Sequence, residues 1–266
     1  MVAISLGTIK IFGDIILKIR LSGRKSLLLI FLLLSFLLLI FFGVLIYMKK
    51  ININQFWVKQ YSIHGIDVSH HQGEIDWKKL KEEKVQFAYI KATEGSGHVD
   101  DQFEDNRKQA QAVGIHTGAY HFFSFESAPE TQAKIYMETV GDLVGQMIPA
   151  VDVEYYALGN AKMPEPEEIA SSLQRFLDIL EEHYGKKPVI YTTYKFYFRY
   201  IRGKFSDYPL WIRNTYYPPL DIAGWSFWQY CDEGRFEGVA DQKGDVDLDV
   251  FRGTEVEFQK FFVQQK

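Results

Sequence analysis

The sequence has few of the residues that form covalent or metal-bound cross-links. Its 266 residues include one cysteine, Cys231, which excludes an internal disulfide bond and a cysteine-based metal site. No H-E-x-x-H pair occurs, and His116 and His121, five positions apart on one predicted strand, point to opposite faces. We therefore expect a functional site with no metal and no cofactor.

Sequence motifs of several other chemistries are also missing. The chain has no G-x-S-x-G nucleophile elbow, no G-x-G-x-x-G motif opening a helix and no phosphate-binding loop. A net charge of −4 does not favour nucleic acid as a partner. With 47% apolar and 24% charged residues the composition is that of an ordinary folded protein.

One uncharged apolar run dominates the N-terminal part. Residues 27–48 contain 22 positions without a charge, and a helix of that length spans a hydrocarbon core of about 30 Å. Residues 1–26 carry five basic side chains and one acid, Asp14, which places this end in the cytoplasm. Lys49 and Lys50 follow the run and weaken the asymmetry.

We expect four segments: a basic cytoplasmic leader (1–26), a single-pass membrane anchor (27–48), a stalk (49–61) and a folded extracytoplasmic domain (62–266). The alternative is a secreted protein with a cleaved signal peptide. The apolar region of such a peptide usually has about 7–15 residues and ends at a site with small residues. The run here is longer, and no such site follows it.

Strand and helix patterns alternate from Ser62 onward. Eight short segments rich in β-branched and aromatic residues predict strands, at 63–69, 86–93, 116–124, 147–154, 188–193, 209–214, 225–230 and 245–251. Helical patterns separate the first five, at 76–84, 100–114, 128–141 and 164–185. This alternation predicts an α/β protein with a parallel sheet, and eight strands in about 200 residues predict an irregular TIM-like barrel with fewer than eight helices.

Acidic residues follow several of these strands. They are Asp67, Glu94, the pair Asp152 and Glu154, and Asp247 in the last strand. In a parallel barrel the carboxyl ends of the strands carry the chemistry. Residues i and i+2 of a strand share a face at about 6.6 Å, so the paired carboxylates repel and one keeps its proton. Glycosidic bond cleavage needs such a pair, one as acid and one as carboxylate.

A series of motifs in order resembles the glycoside hydrolase family 25 lysozymes, the Chalaropsis-type N-acetylmuramidases. The motifs are GIDVSHHQGEIDW (65–77), FAYIKATEG (87–95), GAYHFF (118–123), PAVDVE (149–154), KPVIYTT (187–193), LWI (210–212), WQY (228–230) and GDVDLDVF (244–251). Each motif alone is weak, but their order and spacing over about 64–262 are specific.

The resemblance assigns roles to the acidic residues. It implies that Glu154 is the general acid/base and that Asp152 orients or polarises the 2-acetamido group of the substrate. It implies that Asp67 and Asp247 complete an acidic floor. Glu94 matches a family motif, and either a substrate-binding or a structural role is open for it.

The resemblance also implies a substrate and partners. Four side chains match aromatic positions that contact substrate: Tyr120, Tyr191, Trp211 and Trp228. The implied reaction is hydrolysis of the β-1,4 bond between N-acetylmuramic acid and N-acetylglucosamine in peptidoglycan glycan strands, with retention of configuration. The nucleophile is the substrate's acetamido oxygen or, alternatively, an enzyme carboxylate. We expect a monomer whose membrane contact is the N-terminal helix.

Some positions depart from the family pattern. Lys84 stands where glycine or arginine is usual, and His98 stands where an aromatic residue or leucine is usual. Asp245 and Asp249 replace two asparagines of the last strand. These departures affect the expected substrate fit and pH optimum more than the activity.

Three other functions are compatible with parts of this pattern. A non-catalytic glycan-binding module could keep the same surface, although the complete set of acids disfavours it. A metal-dependent polysaccharide deacetylase could use clustered acids, although it would need a usable histidine pair. A purely structural membrane tether leaves the acids at the strand ends unexplained.

Overall fold

The structure is a computed structural model that describes residues 24–156, 163–239 and 245–264. The described chain divides after Ile51 into two compact units. The first contains helix α1, Arg24–Tyr47. Its segment Ser26–Tyr47 has 22 residues with a mean hydropathy of 3.2, enough by length and composition to cross a membrane, a test that a signal sequence also passes. Most of the predicted leader, residues 1–23, lies outside the described residues.

The second unit is a closed barrel. Its strands are β1 Ile63–Val68, β2 Phe87–Glu94, β3 His98–Val99, β4 His116–Phe122, β5 Ala150–Asp152, β6 Val189–Thr193, β7 Leu210–Arg213, β8 Trp225–Gly234 and β9 Val246–Phe251. The order β1-β9-β8-β7-β6-β5-β4-β2 closes through the β1–β2 pairing. All eight predicted strands are present, and the barrel prediction is confirmed. The two-residue β3, which the sequence analysis did not predict, pairs only with the end of β2.

The helices of this unit are few and uneven in length. They are α2 Asn54–Trp57, α3 Trp77–Glu82, α4 Phe103–Ala112, α5 Pro129–Val140, α6 Pro166–Tyr184, α7 Tyr194–Phe196 and α8 Glu255–Phe258. The four predicted helices correspond to α3–α6, and within the described residues the unit has fewer than eight α-helices, as expected. Short 3-10 turns lie at Val58–Gln60, His70–Gln72 and Gln259–Phe261, and a π-helical turn lies at Tyr197–Ile201.

The sheet is not entirely parallel, which corrects the sequence prediction. Strand β9 runs antiparallel to both of its neighbours, β1 and β8. The 11 residues between Gly234 and Val246 are too few for the usual helical crossover, since a parallel connection needs about a dozen residues or more. The start of β9 therefore lies at the barrel end where β1 finishes, and Asp247 pairs in register with Asp67.

Two glycines make room for large side chains inside the barrel. A Cβ on Gly65 would lie 2.5 Å from the ring of Phe87, and a Cβ on Gly118 would lie 2.3 Å from the ring of Tyr89. Both rings are fully buried. A side chain on either glycine would displace a ring from a close-packed interior.

Aromatic rings fill the lower part of the barrel. Phe227 packs against four of them, Phe87, Phe251, Phe258 and Phe261. Above this layer Tyr89 stacks on Trp211 with ring centroids 4.9 Å apart. The amino-terminal end of the barrel interior is thus closed by hydrophobic packing.

Part of the predicted stalk belongs to the barrel unit, whose first residue is Asn52. The Asn54 side chain is fully buried and donates two hydrogen bonds to backbone carbonyls of the barrel. Val58 is buried, and Tyr61 packs edge-on against Trp225 with centroids 5.7 Å apart. The folded unit thus begins about ten residues earlier than the sequence predicted, which shortens the stalk predicted for 49–61.

The departure at Lys84 coincides with an unusual backbone conformation. Lys84 has φ 72°, in the left-handed region that favours glycine, directly after the end of α3. A lysine there carries the strain that a glycine would avoid.

We predict that Gly65→Ala destabilises the barrel. The added methyl group overlaps the ring of Phe87, and such overpacking costs about 1–3 kcal/mol in free energy of unfolding. Urea unfolding of the detergent-solubilised chain, followed by tryptophan fluorescence, measures it. Gly97→Ala is the matched control, because nothing lies within 4 Å of its added Cβ. Equal midpoints for the two variants would contradict the packing argument.

Candidate active site

Four of the predicted acids come together at one end of the barrel. Asp67 and Asp247 face each other across the β1–β9 pairing. Asp152 ends β5, and Glu154 follows two residues later. Asp67 and Asp247 both raise the pKa of Asp152, and Asp67 also raises the pKa of Glu154, so the four groups act as electrostatic neighbours. The fold thus collects acids that lie up to 180 residues apart in sequence.

Backbone hydrogen bonds hold the segment of the acidic pair in an extended form. The amide of Val153 donates to the carbonyl of Tyr191 at 3.0 Å, and the hydroxyl of Thr192 donates to the carbonyl of Val153 at 2.8 Å. Val153 itself is fully buried. Side chains alternate along an extended chain, so Asp152 and Glu154 share the face opposite to Val153.

Asp152 is the most perturbed member of the pair. Burial raises its pKa well above the usual value, and the neighbouring charges of Glu154, Asp67 and Asp247 raise it further. Its Oδ1 atom is buried and has no hydrogen-bond partner in the described part of the chain. The sequence predicted that repulsion between the two carboxylates would raise this pKa. That repulsion is present, but burial raises the pKa of Asp152 more. Lys91 acts in the opposite direction and lowers this pKa.

Glu154 is half-buried, and burial raises its pKa too. The Arg213 guanidinium lowers the pKa of this carboxyl, and the charge of Asp67 raises it. Asp152 and Glu154 thus differ in their surroundings, since Asp152 lies deeper and each faces a different cation, Lys91 for Asp152 and Arg213 for Glu154. A shared proton can move between two such carboxyls when a substrate changes their solvation.

Asp67 and Asp247 also differ from each other in pKa. Burial raises the pKa of Asp67 to about 6, and hydrogen bonds from Gln229 and Asp249 limit the rise. Burial and the charge of Asp67 raise the pKa of Asp247 to about 9, although Arg213 opposes this shift. At neutral pH Asp67 is therefore ionised and Asp247 keeps its proton.

A hydrogen-bond chain fixes the orientation of Asp67. The hydroxyl of Tyr191 donates to Oε1 of Gln229 at 2.9 Å, and Nε2 of Gln229 donates to Oδ2 of Asp67 at 2.6 Å. Gln229 is 1% exposed and Tyr191 is 6% exposed, so water does not compete for these bonds. The Gln229 amide was not among the predicted site residues, although its motif, WQY, was recognised.

Two cations of the site were also missed by the sequence analysis. Arg213 ends β7 and forms an ion pair with Asp232 at 2.5 Å. Lys91 lies within β2, is only 7% exposed, and donates to Oε2 of Glu94 at 2.6 Å. The sequence contained a signal for each cation. Lys91 is the one charged residue in the segment FAYIKAT, and Arg213 lies near the end of a predicted strand.

Glu94 ends β2 and is bound to Lys91 of the same strand. Besides this ion pair, Lys91 lies over the ring of Phe122, 5.2 Å from its centroid. The arrangement supports a role for Glu94 in holding Lys91.

The four predicted aromatic positions do not share one location. Tyr120 is half-buried, and its pKa is raised by burial and then by Asp67, Asp152 and Asp247, which places it among the acids. Tyr191 lies there too.

The two tryptophans are placed differently. Trp211 lies beneath the acids and is 2% exposed, with its ring stacked on Tyr89. Trp228 is fully buried, contacts Tyr61 and donates to the carbonyl of Asn214. The structure therefore does not place Trp228 where a substrate could touch it.

We predict that Asp247→Asn flattens the dependence of stability on pH. A carboxyl whose folded pKa is about 9 and whose unfolded pKa is about 3.9 gives stability that is complete at low pH and is lost as pH rises through this window. Each such proton contributes a slope of about 1.4 kcal/mol per pH unit. Urea midpoints of the wild-type chain should fall from pH 5 to pH 9, and those of the variant should fall less.

The matched control for this prediction is Asp245→Asn, because Asp245 is exposed at the start of the same region. Its removal should leave the slope unchanged. A wild-type stability that rises with pH over this range would contradict the buried, protonated state of Asp247.

Comparisons with known proteins agree with this geometry. The sequence profile of Glycosyl hydrolases family 25 matches residues 66–239, which include Asp67, Asp152 and Glu154. An uncharacterised protein of Escherichia coli O157:H7, YegX, is 39% identical over 208 residues, covering 76% of this chain and 74% of that protein. Lysozyme M1 of Streptomyces globisporus is 32% identical over 210 residues, covering 72% and 68%.

A solved structure shows the same fold. A family 25 glycosyl hydrolase from Bacillus anthracis superposes with a TM-score of 0.70 at 38% identity, covering 76% of this chain and 94% of that one. The profile, the relatives and the fold agree over the same part of the chain. This protein therefore belongs to the glycosyl hydrolases family 25.

Proposed function

We propose that this chain is a lysozyme-type peptidoglycan hydrolase that cleaves the β-1,4 bond between N-acetylmuramic acid and N-acetylglucosamine. The observation that carries the proposal is the pair Asp152 and Glu154 at the polar end of a family 25 barrel, both with a raised pKa. Paired carboxyl groups of this kind supply the acid and the carboxylate that glycoside hydrolysis requires. The name of the similar Streptomyces lysozyme supports the same substrate class.

Glu154 is the proposed general acid/base. Burial raises its pKa less than that of Asp152, so it lies less deep and is the better placed of the two to reach a glycosidic oxygen. In the first step Glu154 gives its proton to the leaving oxygen while the bond between that oxygen and the anomeric carbon breaks. In the second step the ionised Glu154 takes a proton from water, which attacks the same carbon.

Asp152 is the proposed partner of the substrate's acetamido group. The acetamido oxygen attacks the anomeric carbon from the opposite face, and the oxazolinium that forms carries a positive charge. In the free protein burial favours a proton on Asp152, so the mechanism requires that this proton pass to Glu154 when substrate binds. The ionised Asp152 that results stabilises the positive charge, and the nearby Lys91 favours this ionised form. Two displacements at one carbon give net retention of configuration.

Asp67 and Asp247 complete the electrostatics of the site. The ionised Asp67 adds negative charge below a developing cation, and Gln229 holds its orientation. The protonated Asp247 can donate a hydrogen bond at neutral pH. One barrel supplies all four of these carboxyls, which is compatible with the monomer expected from the sequence.

We predict that Glu154→Gln and Asp152→Asn each lower the hydrolysis of purified peptidoglycan. General acid catalysis contributes about 10²–10⁴-fold, and both variants keep the shape of the side chain while removing its titration. Mass spectrometry of the released muropeptides, with their reducing ends identified, measures rate and bond specificity together. Glu182→Gln, on the exposed face of α6, is the matched control and should be fully active.

Three results would contradict the proposed function or this assignment. Near-normal hydrolysis by both variants would remove the pair from catalysis. Products that end in reducing N-acetylglucosamine would show that the other glycosidic bond is cleaved. Binding of glycan by the wild-type chain without product would favour the non-catalytic module instead.

We further propose that helix α1 is an uncleaved single-pass anchor, with the basic N-terminal segment in the cytoplasm and the barrel outside. The uncharged segment Ser26–Tyr47 and the basic residues before it support this topology. An anchored hydrolase reaches only nearby wall, which suits local remodelling.

We predict that the full chain remains in the membrane fraction after an alkaline carbonate wash, with its original N-terminus detected by mass spectrometry. A span of 22 apolar residues is not extracted by such a wash, whereas a peripheral protein is. A protein free in the medium that begins beyond Met48 would instead establish signal cleavage. Replacement of residues 1–48 by a cleavable signal peptide gives the secreted control.

A further inference from the structure

A fifth carboxyl group, Asp249, lies below the acids used in the proposed mechanism. It is on β9, two residues after Asp247, opposite Gln229 of β8 and Gly65 of β1 in register. Its side chain is fully buried, with 0% of the residue exposed. Because Asp247 and Asp249 alternate with Leu248, both point into the barrel.

The contacts of Asp249 do not suit an ionised carboxylate. Its Oδ1 atom accepts one hydrogen bond, from Nε1 of Trp211 at 2.7 Å. Its Oδ2 atom is buried, and no donor in the described residues reaches it. A buried carboxylate with one neutral donor bears a large desolvation penalty.

The groups around Asp249 offer an acceptor instead of a cation. The titratable groups that face it are Asp67 from β1, Tyr89 from β2, Tyr230 from β8 and Asp247 from its own strand. Each of these is acidic, and the indole of Trp211 from β7 is neutral. The carboxyl of Asp67 lies within hydrogen-bond reach of the Asp249 carboxyl, and the oxygen of Asp249 that lacks a donor is Oδ2. Two carboxyl groups in such contact need a proton between them.

We propose that Asp249 is a positioning residue that stays protonated and donates a hydrogen bond through Oδ2 to the Asp67 carboxylate. Asp67 then receives two donors, Gln229 on Oδ2 and Asp249, and its negative charge and orientation are both fixed. The inference deepens the proposed function, because it rests on Asp67 stabilising positive charge during hydrolysis. It adds a residue that touches neither substrate nor reacting atoms.

The titration of the two groups agrees with this assignment. Burial raises the pKa of Asp249 well above its usual range, and the charge of Asp67 raises it further. The hydrogen bonds from Gln229 and Asp249 instead lower the pKa of Asp67, which burial raises to only about 6. The pair therefore holds one proton at neutral pH, and that proton belongs to Asp249.

Two substitutions separate the hydrogen bond from the packing. Asp249→Asn keeps an acceptor for Trp211 and a donor for Asp67, but it cannot titrate. Asp249→Leu keeps the volume but removes both bonds. Without the donor, the ionised form of Asp67 loses support, so its pKa rises. The acidic limb of the pH dependence of kcat/KM should then move up by about one pH unit or more in Asp249→Leu.

The experiment compares the full chains in mild detergent on solubilised glycan strands. Asp249→Asn should keep kcat within a few-fold of wild type and leave the acidic limb in place. Asp249→Leu should lose at least tenfold in kcat, with a smaller change in KM. A merely structural role would lower the yield of folded protein without moving the limb. An unmoved acidic limb in folded Asp249→Leu would overturn the proposal.

Infrared difference spectroscopy tests the protonation without an activity assay. The carbonyl stretch of a buried carboxylic acid should be present at pH 7 in wild type, weaker in Asp249→Asn, and unchanged in the exposed control Asp245→Asn. If this band is weaker in Asp249→Asn as predicted but no variant or wild-type chain cleaves glycan, the proposed function fails and the protonated Asp249 stands. An unchanged band in Asp249→Asn overturns the proposal even when Asp249→Leu does not fold.

Discussion

Water is excluded from the barrel interior up to the level of the acids, because aromatic rings fill the space below them. Phe87, Phe227 and Phe251 close the lower layer, and Tyr89 stacked on Trp211 forms the next. Carboxyl groups placed directly above such a layer lose hydration on one side. Burial is consequently the first cause of the raised pKa at each acid of the site, and mutual repulsion adds to it.

Two cations oppose the rise in pKa that this desolvation causes, and they act on different acids. Arg213 lowers the pKa of Glu154, Asp67 and Asp247, whereas Lys91 lowers the pKa of Asp152. Each cation is itself held by a carboxylate outside the acidic group, as the ion pairs with Asp232 and Glu94 show. The site therefore contains neighbouring carboxyls that titrate differently, which is the condition for acid and base roles within one pair.

The reversed direction of β9 is what makes the acidic group compact. In a fully parallel barrel the start of the last strand would lie at the closed, aromatic end. Antiparallel pairing brings Asp247 level with Asp67, and it places Asp249 one layer deeper, against Trp211 and beside Gln229. The short connection before β9 thus has a direct consequence for the chemistry.

The amino-acid sequence by itself determined the eight strands, the four longer helices, the apolar segment and the family. These follow from local periodicity and from ordered motifs, which do not depend on distant contacts. It also predicted that Asp152 and Glu154 share a face, because their spacing on one strand requires it. Only the tertiary structure decided the direction of β9, the packing of Asn54 and Tyr61 on the barrel, and the burial of Trp228. It alone revealed that Arg213, Lys91, Gln229 and Asp249 surround the acids, because those contacts join strands far apart in sequence and depend on which face of each strand is turned inward.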